Sequence, residues 1–223
     1  MGQTIHLNTT RIQCIGAYLA EPAGKPKGGI VVIQEIFGVN AHMRSVADRF
    51  AEAGYTAIAP CFFDHLETGV ALGYDEAGYA RGKALVTELG LERAVEDVAS
   101  AAEAIASAGR IGTVGYCWGG TVALLSALRL GLPSVSYYGA RNLPFLGEQP
   151  KAPVMFHFGE RDRSISPDMV QKHRQMLPQM ELFTYPADHA FNRDVGDQYD
   201  EGSAKLAYAR TLAFFDRHLA HRA

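Results

Sequence analysis

The sequence predicts an α/β fold, a mostly parallel central sheet with helices on both faces, because short, almost wholly apolar runs recur along the chain and stretches of helical spacing separate them. Runs that are apolar on both faces suit strands covered from both sides, the situation of a parallel sheet between helical layers. Right-handed crossovers through the intervening helices then set strands beside parallel neighbours. At 223 residues the chain is long enough for one sizeable domain and short for two, so a single domain over residues 1–223 is expected.

Two β-like stretches open the chain, Thr4 to Leu7 and Ile12 to Leu19, the second with polar-apolar alternation. An exposed turn follows at Ala23-Gly24-Lys25-Pro26-Lys27-Gly28. The apolar strands are then Gly29 to Gln34, Thr56 to Ala59, Ile111 to Gly115, Ser134 to Tyr138, Pro153 to Phe158 and Glu181 to Tyr185. Helical spacing covers His42 to Ala53, Asp75 to Leu89, Leu91 to Ala108, Gly120 to Leu130, Pro167 to Leu177 and Ser203 to His218. Phe62 to Tyr74 and Ala140 to Ala152 read as longer loops, and long loops at strand ends are where sites are built.

The composition narrows the function. A net charge of -3 leaves no basic surplus for a phosphate backbone or an anionic membrane, so nucleic acid and membrane are not expected partners. The opening MGQTIHLNTTRIQCIG lacks a basic stretch followed by a long apolar run, and no segment reaches the length of a membrane span, so a cytoplasmic protein is expected. Nothing signals oligomerisation, and a monomer is the default. Cys14, Cys61 and Cys117 are too few and too scattered for a disulfide framework or a zinc site. Cys14 and Cys61 read as small buried hydrophobes.

Cys117 has a different neighbourhood. Gly115-Tyr116-Cys117-Trp118-Gly119 is a G-x-C-x-G motif after an apolar strand and before an Ala/Leu-rich helix, the context of a nucleophile elbow. The nucleophile of such a turn has a strained backbone, and side chains at the flanking glycine positions would collide with the neighbouring strand or helix. The helix starting beneath the sulfur favours negative charge there, and the Trp118 N–H is aimed where an oxyanion would form. An inert thiol in a glycine-rich turn is the competing reading.

A thiol nucleophile needs a base, and eight histidines compete. His173 falls inside a helix, His218 and His221 in the C-terminal tail, and His6 in the first strand. His157 reads as a packed histidine within an apolar strand, while His42 and His65 precede the elbow. His189 follows the last strand and hangs over the same sheet edge as Cys117. Asp162, just past the preceding strand, supplies the acid that orients the imidazole, with Glu160 and Asp188 as rivals.

Together with Gln34-Glu35-Ile36-Phe37-Gly38-Val39-Asn40, these segments resemble the dienelactone hydrolase family of α/β-hydrolases, from about Gly28 to the last helix. The resemblance implies a Cys117, Asp162 and His189 triad, no metal or organic cofactor and no large cap domain. It implies that Glu35 is an additional acid beside the resting thiol, that Ile36 gives a second oxyanion N–H opposite Trp118, and that Phe37 and Tyr138 line the pocket. It further implies that a substrate carboxylate is held by Arg193, four residues beyond the base, and by a second arginine. Arg81 is the only candidate for the latter, one position from the family's register. Trp118 also departs from the pattern, standing where a smaller aliphatic residue is common.

The chemistry that follows is acyl transfer from a small ester or lactone through a thioester. Other activated esters, with phosphotriesters as a side reaction, are an alternative, and a hydrolase scaffold acting only as a binding module is another. A glutamine amidotransferase would need H-x-E after the nucleophile, where this chain has His189-Ala190-Phe191. A thiol peroxidase would need a resolving cysteine near the site.

Overall fold

The computed structural model describes residues 2–9 and 14–219. Its eight strands are β1 (Gln3–Asn8), β2 (Cys14–Ala20), β3 (Gly29–Ile33), β4 (Thr56–Pro60), β5 (Ile111–Tyr116), β6 (Ser134–Tyr137), β7 (Val154–Gly159) and β8 (Glu181–Tyr185). Its six α-helices are α1 (Ala41–Glu52), α2 (Glu76–Leu89), α3 (Leu91–Ala104), α4 (Trp118–Leu125), α5 (Pro167–Met176) and α6 (Glu201–His218). Of the expected second strand, Ile12 and Gln13 lie outside the described residues, as does His221.

The strands form one open sheet in the order β1-β2-β4-β3-β5-β6-β7-β8. The run from β4 to β8 is parallel, while β1 and β2 pair antiparallel with each other and β2 with β4. Every residue of β3, β4, β6 and β7 is buried, which explains why those segments read as continuous apolar runs. Both helical layers can be seen from β7. Phe156 and Phe158 point to one face and pack on His173 of α5, while His157 between them reaches Thr211 of α6 on the other at 3.1 Å.

Helix ends follow the local chemistry. Asn40, Asp75, Ser166 and Asp200 cap α1, α2, α5 and α6 through side-chain oxygens that accept backbone N–H groups. The long helix expected from Gly120 to Leu130 is instead α4 followed by a wider π-type turn over Ser126–Leu130, closed by left-handed Gly131. The long loop after β4 contains a short 3-10 turn at Phe62–His65. Among the described residues no helix is long and apolar enough to cross a membrane.

Cys14 departs from expectation. It is exposed at the first residue of β2, on the face opposite buried Ile15. Cys61 is partly buried, and burial pushes its thiol up to about 11.

Candidate active site

At the centre of the sheet β5 ends at Tyr116, α4 begins at Trp118, and Cys117 alone makes the turn with φ 55° and ψ −115°. A non-glycine residue in this region carries about 1–3 kcal/mol of strain and persists only where its surroundings hold it. Here its N–H donates to the Tyr137 carbonyl and its own carbonyl accepts from Gly120, both at 3.0 Å. The flanking glycines serve close approach. A Cβ on Gly115 would stand 1.8 Å from the Gly119 carbonyl oxygen, and one on Gly119 would stand 2.4 Å from that of Gln34. As first residue of α4, Trp118 has an N–H with no helical carbonyl to meet, and its indole packs edge-on against Phe62.

His189 lies in the loop after β8, where Ala190 turns the chain with φ 61°. Its Nδ1 is 2.7 Å from Asp162 Oδ2, and it shares the wall of one cavity with Cys117. Asp162 has a fully buried side chain, and its other oxygen accepts the Ser164 N–H at 2.7 Å, so the carboxylate is fixed at both ends. Burial alone would depress the imidazole, but its interactions with Cys117 and Asp162 together raise it well above the ordinary histidine range.

The rival acids do not reach the ring. Asp188 accepts the backbone N–H of His189, and exposed Glu160 accepts the Thr184 hydroxyl. His157 is held between Tyr185 and Thr211, as a packed core histidine, and His65 pairs with buried Asp97.

On the β3 side of the sulfur, Glu35 is buried, with Oε2 3.9 Å from Arg193 Nη1 and without a hydrogen-bond partner. Burial raises the Glu35 carboxyl, against the opposing pull of Arg193 and His189. Arg193 donates from Nε to the Val195 carbonyl at 3.0 Å and from Nη2 to Gln198 at 2.8 Å. Its guanidinium lies 4.2 Å from the Tyr74 ring centroid and 5.9 Å from that of Phe37. Asn40 holds the Tyr74 hydroxyl at 3.0 Å. His42 Nδ1, 2.6 Å from Asp194, fastens the residue next to Arg193 onto α1.

These groups surround a cavity of about 610 Å³ whose lining includes Glu35, Ile36, Phe37, Cys117, Trp118, His189 and Arg193. The model of the dienelactone hydrolase family matches residues 15–219. The chain belongs to the dienelactone hydrolase family. It is a hydrolase of ester or lactone bonds on an α/β-hydrolase fold. A carboxymethylenebutenolidase of Pseudomonas putida is 33% identical over 211 residues, 89% of each chain. A protein of Azospirillum brasilense assigned as a carboxymethylenebutenolidase is 34% identical, covering 91% of this chain and 93% of its own. A solved structure from Klebsiella pneumoniae subsp. pneumoniae, assigned as a dienelactone hydrolase, superposes with a TM-score of 0.85 at 30% identity, covering 98% of this chain and all of that one.

Two residues expected at the pocket of such a hydrolase lie elsewhere. Arg81 does not line the cavity but pairs with Glu67, both side chains about half exposed. Helix α2 packs on the site through Gly82, where a Cβ would meet the Ile36 carbonyl at 2.1 Å. One residue is about 100° of helix, so Arg81 and Lys83 flank that contact on opposite sides, and Lys83 with Tyr79 one turn earlier faces the cavity. Tyr138 is fully buried behind the lining, its ring 5.1 Å from that of His189 and its hydroxyl unpartnered. With φ 39° it ends β6 in a turn that directs it into the aromatic core of Tyr116, Tyr137 and Phe191.

Sequence reasoning passed over Tyr74, Lys83, Arg141 and Arg163, all in the cavity wall. Helical periodicity in α2 carried a signal for Lys83, through its spacing from Tyr79. The loop arginines carried none.

Proposed function

We propose that the protein hydrolyses a small activated ester or lactone through a Cys117, His189 and Asp162 triad within one domain, working as a monomer in the cytoplasm. The observation that carries this reading is that the strained Cys117 and His189 line one cavity, with His189 held at 2.7 Å by the buried Asp162. The Cys117 thiolate attacks the ester carbonyl carbon, forming a C–S bond and a tetrahedral oxyanion. The N–H groups of Ile36 and Trp118 receive that oxyanion, and each such donor contributes about 3–4 kcal/mol to the transition state.

Collapse breaks the C–O bond, the alcohol or enol oxygen leaves with the proton from His189, and the acyl group stays on sulfur as a thioester. Water then attacks the thioester while His189 takes its proton, and the acid is released as the thiolate returns. Asp162 keeps the proton on Nδ1, so that Nε2 faces the reacting groups. Glu35 acts as a second acid, a buried carboxyl whose ionisation beside the sulfur is penalised. Arg193, with Nη1 turned toward Glu35, binds a substrate carboxylate, as a dienelactone would present.

Turnover of 4-nitrophenyl acetate by wild type and Cys117→Ala tests the reading, with loss of turnover expected in the variant. Mass spectrometry of the quenched reaction is expected to place an acyl adduct on Cys117. An adduct on Cys14 or Cys61, or undiminished turnover without the Cys117 thiol, overturns it. A single stoichiometric acylation without turnover would identify a binding module instead.

A further inference from the structure

The cavity wall carries four basic side chains, Lys83, Arg141, Arg163 and Arg193, against the carboxylates Glu35 and Asp188. The chain as a whole is negative, at -3, so this wall has the opposite charge balance to the molecule. The two acids offset little of it. Burial biases Glu35 toward its neutral form, and an oxygen of Asp188 is engaged by the His189 backbone N–H.

The cations divide between two sides of Cys117. Arg193 lies against Glu35, Phe37 and Tyr74, and Lys83 belongs to the helix packed on Ile36, so both stand on the β3 side of β5. Arg141 follows β6 and Arg163 follows β7, and the strand order puts those loops across β5 from β3. Arg193 is anchored by Val195 and Gln198. Arg141 and Arg163 are exposed, and among the described residues neither forms an ion pair. Two arginines facing one cavity from adjacent loops present planar guanidinium forks of the kind that bind a carboxylate.

We propose that Arg141 and Arg163 form a second anion subsite, and that the substrate carries two carboxylates, one on each side of the scissile carbonyl. Arg193 holds the carboxylate on the β3 side and the arginine pair holds the other on the β6–β7 side, with the carbonyl over Cys117 between them. A cavity of about 610 Å³ has room for an ester of that size. This inference rests on the ester-hydrolase reading above.

Four esters test it: neutral 4-nitrophenyl acetate, 4-nitrophenyl hydrogen succinate with its carboxylate on the acyl half, 4-acetoxybenzoate with its carboxylate on the leaving half, and the dianionic succinate ester of 4-hydroxybenzoate. Each variant is compared with wild type on the same ester, so intrinsic reactivity cancels. Arg141→Ala/Arg163→Ala is expected to lower kcat/KM on the dianion at least tenfold more than on the acetate. The same double variant should discriminate against one of the two mono-anionic esters, and Arg193→Ala against the other. Arg141→Lys/Arg163→Lys should recover part of the loss, and matching thermal melts show that the fold is retained.

An equal factor on all four esters, or both variants acting on the same half of the substrate, overturns the second subsite while leaving the hydrolase reading intact. Absence of turnover of every ester by wild type overturns both.

Discussion

Replacing Gly115 by alanine puts a methyl carbon 1.8 Å from the Gly119 carbonyl oxygen and 2.3 Å from its carbon. Ordinary contact needs about 3.5 Å, so roughly 1.5 Å of separation has to be found. Strand β5 cannot supply it, because Gly115 is paired with Ile33 on one side and Ser136 on the other. The first turn of α4 must yield, and with it Cys117 and the Trp118 N–H. Overpacking of this kind costs about 1–3 kcal/mol, which in a chain of this size lowers Tm by roughly 2–12 °C. A displacement near 1 Å at the reacting atoms costs about 100-fold in rate. The assay is 4-nitrophenyl acetate hydrolysis with a thermal melt, run beside Gly147→Ala, whose added Cβ meets nothing within 4 Å. Gly115→Ala with kcat/KM within threefold of wild type would refute the argument that steric closeness at the elbow aligns the nucleophile.

Asp162→Asn leaves the shape of the site but removes the carboxylate that fixes the His189 tautomer, and kcat should fall by about 10³–10⁴-fold with little change in Tm; a loss below tenfold would remove Asp162 from the triad. Arg81→Ala should change kcat/KM by less than about twofold on carboxylate-bearing esters, since a surface pair with Glu67 contributes little, and a tenfold loss would return Arg81 to the pocket. His157 is wholly buried, and desolvation pushes its pKa down to about 3, from 6.5. Between those values the unfolded chain binds the extra proton, so stability falls as pH drops through that window, by about 1.4 kcal/mol per pH unit. His157→Gln should therefore lose about 2 kcal/mol less than wild type between pH 6.5 and pH 5 in urea unfolding; an unchanged difference would contradict the buried neutral imidazole.

The α/β architecture and the strand–turn–helix at Cys117 are legible in the sequence, because both are written locally. Buried parallel strands must be apolar on both faces, and a turn this tight needs small residues two positions either side of Cys117. The order of strand ends likewise brought Asp162 and His189 to attention. Tertiary structure decided the rest. Arg81 and Lys83 differ by two positions in a helix, and only the packing of Gly82 on Ile36 shows which flank meets the cavity. Tyr138 is an aromatic residue at a strand end like any other until its φ of 39° turns it inward. Cys14 is a free thiol whose exposure depends on which face of β2 it takes, opposite buried Ile15. His42 finds Asp194 across 152 positions, and Arg141 and Arg163 line one cavity because β6 and β7 are neighbours. Such contacts depend on the direction of a side chain and on partners distant in the chain, neither of which a local pattern of residues encodes.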